Sequence, residues 1–207
     1  KPSDSKSLKL NKLNEIKNFN PKFIKGRPSS IFDLAKICQD FGNFSLKFDR
    51  IFTNGELLLP SQRKFIEQVF SSEIFDFYGG EGGISAFQCE EKEGYHAATD
   101  SGIFEVVDIN DDHKWEADEE NIGRVIGTDL FNKAMPLIRY EIGDLVRPSG
   151  KKFCKCGRGL PLIKSPEGRK NNIIKTNTSI ITEKQIDEVL NESFSRLISS
   201  DNLQIHI

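Results

Sequence analysis

The chain has 207 residues, of which 29 are basic and 31 acidic, so its formal net charge is only −2. A nearly balanced charge gives no reason to expect nucleic acid or an anionic membrane as a partner. No apolar run approaches the roughly 20 residues that a membrane-spanning helix needs, and the polar first residues do not resemble a signal peptide. With 37% hydrophobic residues the chain can bury a sizeable core. We therefore expect a globular, cytoplasmic protein.

Helical patterns dominate the first part of the chain. Residues 1–20 are polar and are expected to form a polar arm or a truncated element. One helix is predicted to begin near Pro28, with Ser30 and Asp33 capping its start. A second helix is predicted to follow Pro60. Their inward faces are predicted to consist of Ile31, Leu34, Ala35 and Cys38 in the first, and Phe65, Ile66, Val69 and Phe70 in the second.

Buried strands are predicted on either side of the second helix, at residues 50–53 and 74–77. The first runs into Asn54-Gly55-Glu56, and the second runs into a glycine-rich turn that begins at Tyr78. Strand, helix and strand with glycine at both strand exits is typical of a parallel α/β layer, whose ligands gather at the carboxyl ends of the strands. We assign this layer to residues 21–83.

From residue 84 to residue 167 the pattern changes to β. Strands are predicted at residues 104–107, 124–128 and 137–140, which indicates a small antiparallel, barrel-like subdomain. The acidic stretch at residues 108–120 is expected to be a solvated loop.

The start of a separate α+β unit is predicted over residues 168–207. Thr182 and Gln185 form a capping box at the start of a helix. The alternation of residues 203–207 predicts a strand. The apolar positions of the helix are Ile186, Val189, Leu190, Phe194 and Leu197.

Four cysteines occur in the chain. Cys38 lies on a predicted helix face and is expected to be a small buried hydrophobe. A Cys-x-Cys disulfide would be strained, and cytosolic cysteines more often bind metal or stay reduced. Cys89 and His96, with Cys154 and Cys156, supply three thiols and one imidazole, the closed ligand set of a structural zinc site. The alternative is a set of scattered free cysteines and a surface histidine.

The turn Tyr78-Gly79-Gly80-Glu81 combines an aromatic ring, a close backbone approach and a carboxylate. An adenine ring can lie on Tyr78, and Glu81 can bind a magnesium ion that is held by phosphates. The alternative is a flexible surface turn with a solvated glutamate.

A strand, a Gly-Asp turn and two further motifs follow one another in the second half of the chain. The predicted strand ends at Gly143-Asp144, which presents a carboxylate at a strand exit, and the segment Cys154–Arg158 and the pair Gly168-Arg169 come next. This order resembles the back half of the nucleotide-binding domain of adenylate-forming enzymes, of the phenylacetate–CoA ligase type. Capsule-biosynthesis homologues share these motifs. The resemblance spans about residues 21–190.

The resemblance implies an adenine site and a magnesium site. Gly55 and Glu56 would line the adenine pocket with their backbone, Tyr78 would lie against the adenine, and Gly79 would belong to the same nucleotide-binding turn. Glu81, the predicted catalytic residue, would face the magnesium ion. One residue of the family's turn is missing between Tyr78 and Glu81.

The resemblance also implies a ribose site. Asp144 would receive the two ribose hydroxyls, because a carboxylate can accept from a cis-diol with both oxygens. Arg169 would reach the ribose or a phosphate with its planar, charged fork. The sequence also departs from the family pattern. Glu141 stands for an arginine and Ile142 for a threonine, and Asn171 and Asn172 stand where the family has two aspartates, one of them the hinge residue.

The implied activity is that of an ATP-dependent, AMP-forming ligase, which activates a carboxylic acid as its acyl-adenylate and passes it to coenzyme A. The family's phosphate loop and lysine-bearing lid are not recognised in this sequence, so we expect a fragment that is inactive by itself. The alternative is a degenerate, zinc-stabilised binding protein without catalysis. A homodimer is left open.

Overall fold

The computed structural model describes residues 2–42, 44–80, 82–110, 121–151, 153–176 and 179–199. The first half has three helices and three strands: α1 (Pro2–Phe19), β1 (Phe23–Gly26), α2 (Pro28–Asp40), β2 (Arg50–Asn54), α3 (Pro60–Phe70) and β3 (Ile74–Gly79). The strand β2 pairs in parallel with both β1 and β3. The predicted parallel α/β layer is therefore confirmed.

The following strands pair in antiparallel fashion and extend the same sheet. They are β4 (Ser85–Gln88), β5 (Tyr95–Ala97), β6 (Gly102–Asp108), β7 (Gly123–Asp129), β8 (Tyr140–Pro148) and β9 (Leu162–Arg169). The nine strands lie in the order β1-β2-β3-β4-β5-β9-β8-β7-β6. A ribbon of β10 (Ile174–Lys175) and β11 (Ile180–Ile181) precedes the last helix, α4 (Glu183–Ser199).

The first core lies between the parallel strands and the helices α1, α2 and α3. Ile51 and Ile74 contribute from β2 and β3, and Leu13, Ile31 and Ile66 contribute from the three helices. The predicted inward faces of α2 and α3 are confirmed, because every side chain assigned to them is buried or partly buried in this cluster. The helices thus cover one face of the parallel strands.

The second core is smaller and lies within the antiparallel strands. It comprises Ile84, Ala86, Tyr95, Ala97, Val125, Val146 and Ile163. The turn after β3 packs against β7, where a Cβ placed on Gly82 would lie 3.5 Å from the Cα of Gly127. The sheet is therefore curved, which brings β7 close to the turn after β3.

The first two helices differ in detail from what the sequence suggests. Residues 1–20, expected to be a polar arm or a truncated element, contain the helix Pro2–Phe19, whose Leu13 is buried against the first core. The sequence pattern does not reveal this, because few apolar residues mark the inward face. The start of α2 is capped neither by Ser30 nor by Asp33, since the N-cap position is Arg27, whose side chain makes no capping hydrogen bond.

The third predicted strand is displaced. Residues 137–139 precede β8, which begins at Tyr140 and runs through Gly143 and Asp144 to Pro148. Asp144 therefore lies inside a strand and not at its exit. Gly143 adopts a φ of 85° within this strand, a conformation that favours glycine.

The helix α4 begins at the predicted capping box. The backbone N–H of Thr182 donates to Gln185 Oε1 at 2.9 Å, and the N–H of Gln185 donates to Thr182 Oγ1 at 3.3 Å. Its predicted apolar face is largely exposed at Val189 and Leu190. The side chains of Phe194 and Leu197 and the predicted strand at 203–207 lie outside the described residues. Among the described helices, none is long and apolar enough to span a membrane.

Candidate functional site

A cavity of about 500 Å³ lies at the carboxyl ends of β2 and β3 and is closed on its other side by β8 and β9. The six residues that the sequence analysis assigned to nucleotide binding all line it: Gly55, Glu56, Tyr78, Gly79, Asp144 and Arg169. The predicted catalytic residue, Glu81, lies outside the described residues. The tertiary structure thus brings four separate sequence segments to one cavity.

Asp144 and Arg169 face each other across β8 and β9, where they are paired in register. Arg169 Nε lies 3.1 Å from Asp144 Oδ1, and Arg169 Nη1 donates to the carbonyl oxygen of Ile142 at 3.0 Å. The hydroxyl of Tyr78 donates to Asp144 Oδ2 at 2.8 Å. Both carboxylate oxygens therefore have one partner, and each keeps a further lone pair with which to accept a ligand hydroxyl.

Burial is the main influence on the pKa values of Asp144 and Tyr78. Burial raises the pKa of the Asp144 carboxyl, while the hydrogen bond from Tyr78 and the charge of Arg169 oppose the rise. Burial and the neighbouring Asp144 raise the pKa of Tyr78 far above its ordinary value, so the phenol stays protonated and can donate. The ring of Tyr78 meets the ring of Phe104 edge-on, with centroids 6.2 Å apart.

Gly55 and Glu56 form the turn that follows β2. Gly55 has a φ of 82°, so a side chain at this position would strain the turn. The carboxylate of Glu56 points to the first turn of α2, where Oε2 accepts from the backbone N–H of Ser29 at 3.2 Å. Arg27 Nη1 lies 3.8 Å from its other oxygen. Glu56 thus supplies the capping acceptor that the sequence of α2 lacks, while the turn itself lines the cavity.

A buried polar network is centred on Asp76, which also lines the cavity but was not predicted from the sequence. Asp76, which is 4% exposed, accepts hydrogen bonds from the Thr53 hydroxyl and, at 2.8 Å, from the Tyr95 hydroxyl. Burial raises the pKa of the Asp76 carboxyl, although these hydrogen bonds and the charge of Arg63 oppose the rise. The one sequence signal was an aspartate in the middle of an apolar strand, Ile74–Phe77.

Glu141, which departs from the family pattern, is held between two cations. Lys170 Nζ lies 2.7 Å from Glu141 Oε1, and Arg124 Nη1 lies 2.9 Å from Oε2. The hydrogen bond from Lys170 is the main cause that lowers the pKa of Glu141. This ion pair ties β8 to the segment Lys170–Asn172, which contains the two asparagines that stand for the family's aspartates.

A second site is formed by the four predicted metal ligands, Cys89, His96, Cys154 and Cys156. Their ligand atoms all lie within 4.8 Å of one another, and all except the partly exposed Cys156 are buried. Cys89 Sγ and Cys154 Sγ are 3.6 Å apart, and Cys156 Sγ lies 3.4 Å from His96 Nε2. The alternative of scattered cysteines and a surface histidine is therefore wrong.

The geometry fits a tetrahedral metal ion. Bonds of about 2.3 Å from a tetrahedral zinc ion place two thiolate sulfurs about 3.8 Å apart, close to the observed separation. Burial, and then the charge of Arg158, lower the pKa of His96, which favours the neutral imidazole that metals bind. His96 Nδ1 makes no well-formed hydrogen bond among the described residues, although the Leu160 backbone lies close enough to affect its pKa. The four side chains could therefore hold a metal.

Two curated proteins are similar in sequence. Protein CapK of Staphylococcus aureus is 32% identical over 151 residues, which cover 70% of this chain and 30% of that protein. Phenylacetate-coenzyme A ligase of Thermus thermophilus is 30% identical over 149 residues, which cover 69% of this chain and 33% of that enzyme. The chain thus spans about a third of the length of these relatives. No protein-family profile matches it.

Solved structures share the fold at lower identity. 2-Hydroxyisobutyryl-CoA ligase, in its postadenylation state with R3-HIB-AMP, superposes with a TM-score of 0.73 at 20% identity, covering 89% of this chain and 40% of that one. The anthranilate CoA ligase AuaEII, in complex with anthranoyl-AMP, has a TM-score of 0.62 at 15% identity, covering 86% and 35%. With the two sequence relatives, these structures show that the chain belongs to the adenylate-forming superfamily.

Proposed function

We propose that this chain is the nucleotide-binding segment of an ATP-dependent, AMP-forming ligase that activates a carboxylic acid and transfers it to coenzyme A. The cavity that contains Tyr78, Asp144 and Arg169 carries the proposal. It offers an aromatic ring, a carboxylate with free lone pairs and a guanidinium within one volume, which suits the base, the ribose hydroxyls and a phosphate of AMP. Two solved relatives were crystallised with acyl-AMP compounds.

The roles follow from the positions in the cavity. Asp144 would accept the ribose hydroxyls on its outward lone pairs, and Arg169, already held by Asp144 and Ile142, would present its remaining N–H groups to a phosphate or ribose oxygen. Tyr78 orients Asp144 through its hydroxyl while its ring borders the adenine. Glu81 is proposed to bind the magnesium ion that accompanies the phosphates.

Zinc is the metal that we propose for Cys89, His96, Cys154 and Cys156. Three thiolates and one imidazole form a closed tetrahedral set without an open position, which is typical of structural zinc and not of catalytic zinc. Bound there, zinc would link the segments that carry its ligands. Elemental analysis of protein purified without chelator should find about one zinc per chain.

Titration of AMP tests the nucleotide proposal. We expect weak binding by this chain, in the millimolar range, because one stacked ring and a few hydrogen bonds contribute only a few kcal/mol. Asp144→Asn should weaken the affinity about tenfold, since the amide nitrogen cannot accept a ribose hydroxyl. The matched control is Asp100→Asn, which removes the same charge at an exposed position that does not line the cavity. If the wild type and Asp144→Asn bind AMP equally well, Asp144 does not contact the nucleotide.

Pyrophosphate exchange with a panel of carboxylic acids tests the chemical step. We expect no turnover by this chain alone and clear turnover by a longer protein that carries it together with a phosphate loop and a lid lysine. Failure of such a longer protein to exchange pyrophosphate with any acid, while it still binds AMP, would instead support the non-catalytic alternative.

A further inference from the structure

The sheet has a short join between β5 and β9. Only two residue pairs, Tyr95 with Ile163 and His96 with Leu162, form the ladder at this join, whereas β2 and β3 share four pairs and β6 and β7 share seven. One further hydrogen bond, from the N–H of Ala97 to the carbonyl oxygen of Pro161 at 2.8 Å, continues it. In the sheet, the strands β1–β5 lie on one side of this join and the strands β6–β9 lie on the other.

The metal ligands lie on both sides of this join. Cys89 directly follows β4 and His96 lies in the middle of β5, whereas Cys154 and Cys156 belong to the loop that leads into β9. His96 is itself one of the paired residues, directly opposite Leu162. A metal bound to all four side chains would therefore connect the two parts of the sheet where their backbone pairing is shortest.

The cavity spans the same join. Gly55 and Tyr78 come from the β1–β5 side, and Asp144 and Arg169 come from the β6–β9 side. The strand β9 begins beside the cysteine loop and ends at Arg169, so that a single strand of roughly 23 Å connects the two sites. The hydrogen bond from Tyr78 to Asp144 also joins the two sides.

We propose that the metal centre clamps the β5–β9 join and thereby holds the two walls of the cavity in register, so that metal occupancy sets the affinity for AMP. Only the predicted change in AMP affinity rests on the proposed nucleotide function. In the clamped state the ligands fix the start of β9 against β5, and the ladder of β9 with β8 carries that position to Arg169 and Asp144. Without the metal, the register at the join depends on the short ladder, the Tyr78–Asp144 hydrogen bond and the packing of the second core.

The close packing at the join explains why small shifts matter there. A Cβ on Gly94 would lie 2.4 Å from the carbonyl oxygen of Ile163, so the two strands can approach only because this position is glycine. Ile163 and Tyr95 also belong to the second core. A displacement of β9 therefore disturbs the packing on the cavity side and not only the loop that carries the cysteines.

Amide hydrogen exchange of the zinc-loaded and the chelator-stripped chain tests the clamp. Stripping should accelerate exchange of the β5 and β9 amides, while the amides of β2 and α3 keep their protection. It should also weaken AMP binding by about fivefold or more. Addition of zinc should reverse both effects. Cys156→Ser, at the least buried ligand, should behave like the stripped chain even in the presence of zinc.

The control variant is Cys38→Ser, which places a hydroxyl at a fully buried cysteine outside the metal set. It should lower the unfolding temperature without changing the AMP affinity or the exchange of β5 and β9, which separates a local clamp from general stability. Unchanged exchange at β5 and β9 after verified metal removal would overturn the proposal, and so would failure to bind any zinc. If the loaded chain binds no AMP, the proposed nucleotide function fails, and the exchange result still decides whether the metal clamps the join.

Discussion

The two cores of this protein are built from different chemistry. Among the residues that the structure describes, the first core contains eleven buried side chains, including Phe48 and Phe70, whose rings meet edge-on at 5.1 Å. The second core contains seven, two of which are the small alanines Ala86 and Ala97, and a set of four potential metal ligands lies beside it. A region with little apolar area to bury gains less from the hydrophobic effect, so cross-links by metal ligation become more important there.

Loss of a metal ligand should be the largest effect. Cys154→Ser is expected to lower the free energy of unfolding by several kcal/mol, because metal binding to a structural site contributes directly to folding. Denaturant titration in the presence and absence of a chelator measures it, and the chelator should affect the wild type but not the variant. A wild type that is insensitive to the chelator would show that the antiparallel region is held by its apolar core alone.

A cavity in the first core should have the next largest effect. Ile66→Ala removes a fully buried side chain of α3 and should lower the free energy of unfolding by about 3 kcal/mol. Leu8→Ala, at a position that is 55% exposed on α1, is the control and should change it by less than about 0.5 kcal/mol. The Ile66→Ala variant should keep the full chelator sensitivity of the wild type, because none of the four candidate metal ligands belongs to the first core. A loss of that sensitivity would show that the first core and the metal site are not stabilised independently.

Asp76 connects the parallel strands with the antiparallel strands, because it accepts hydrogen bonds from Thr53 of β2 and Tyr95 of β5. Its substitution should have an intermediate effect. Asp76→Asn should lower the free energy of unfolding by about 1–2 kcal/mol, because the amide nitrogen cannot accept one of the two hydrogen bonds.

The pH dependence of this substitution has a definite sign. Burial raises the pKa of Asp76 in the folded state, so the folded protein keeps this proton at pH values where the unfolded chain has lost it. The resulting stabilisation is complete below the unfolded pKa and is lost as the pH rises through the folded pKa. The stability difference between the wild type and Asp76→Asn should therefore shrink from acidic to neutral pH. Asp49→Asn, which changes an exposed aspartate outside both cores, is the matched control.

The smallest effect is expected where α4 contacts α3. Asp187 accepts from the backbone N–H of Ser61 at 3.0 Å and from its hydroxyl at 2.6 Å, although the two residues are 126 positions apart. Since the N-cap residue of α3 is Leu59, Asp187 supplies the missing cap, and Asp187→Asn should cost about 1 kcal/mol. Asp33→Asn, which breaks only the exposed pair with Lys36, should cost less. Equal effects of the two would mean that Asp187 does not act as a cap.

Much of the local structure could be predicted because it depends on neighbours in the sequence. The apolar faces of α2 and α3 follow from side chains at helical spacing, and the capping box of Thr182 and Gln185 needs only three residues. The metal set could be predicted because thiols and imidazole have few other reasons to occur at close spacing. The position of β8 could not be predicted. Gly143 has a φ of 85°, which is typical of a turn, yet the strand continues through it.

The sequence by itself determined the fold class, the residue types of the candidate metal site and the residue types of the cavity. These depend on side-chain chemistry and on the spacing of apolar residues. Only the tertiary structure decided which groups complete one another. Glu56 and Asp187 accept from first-turn N–H groups of α2 and α3, whose N-cap side chains cannot, and Tyr95 donates to Asp76 from another strand. A buried donor or acceptor needs a partner, but any part of the chain can provide it. The neighbouring sequence therefore does not show which residue the partner will be.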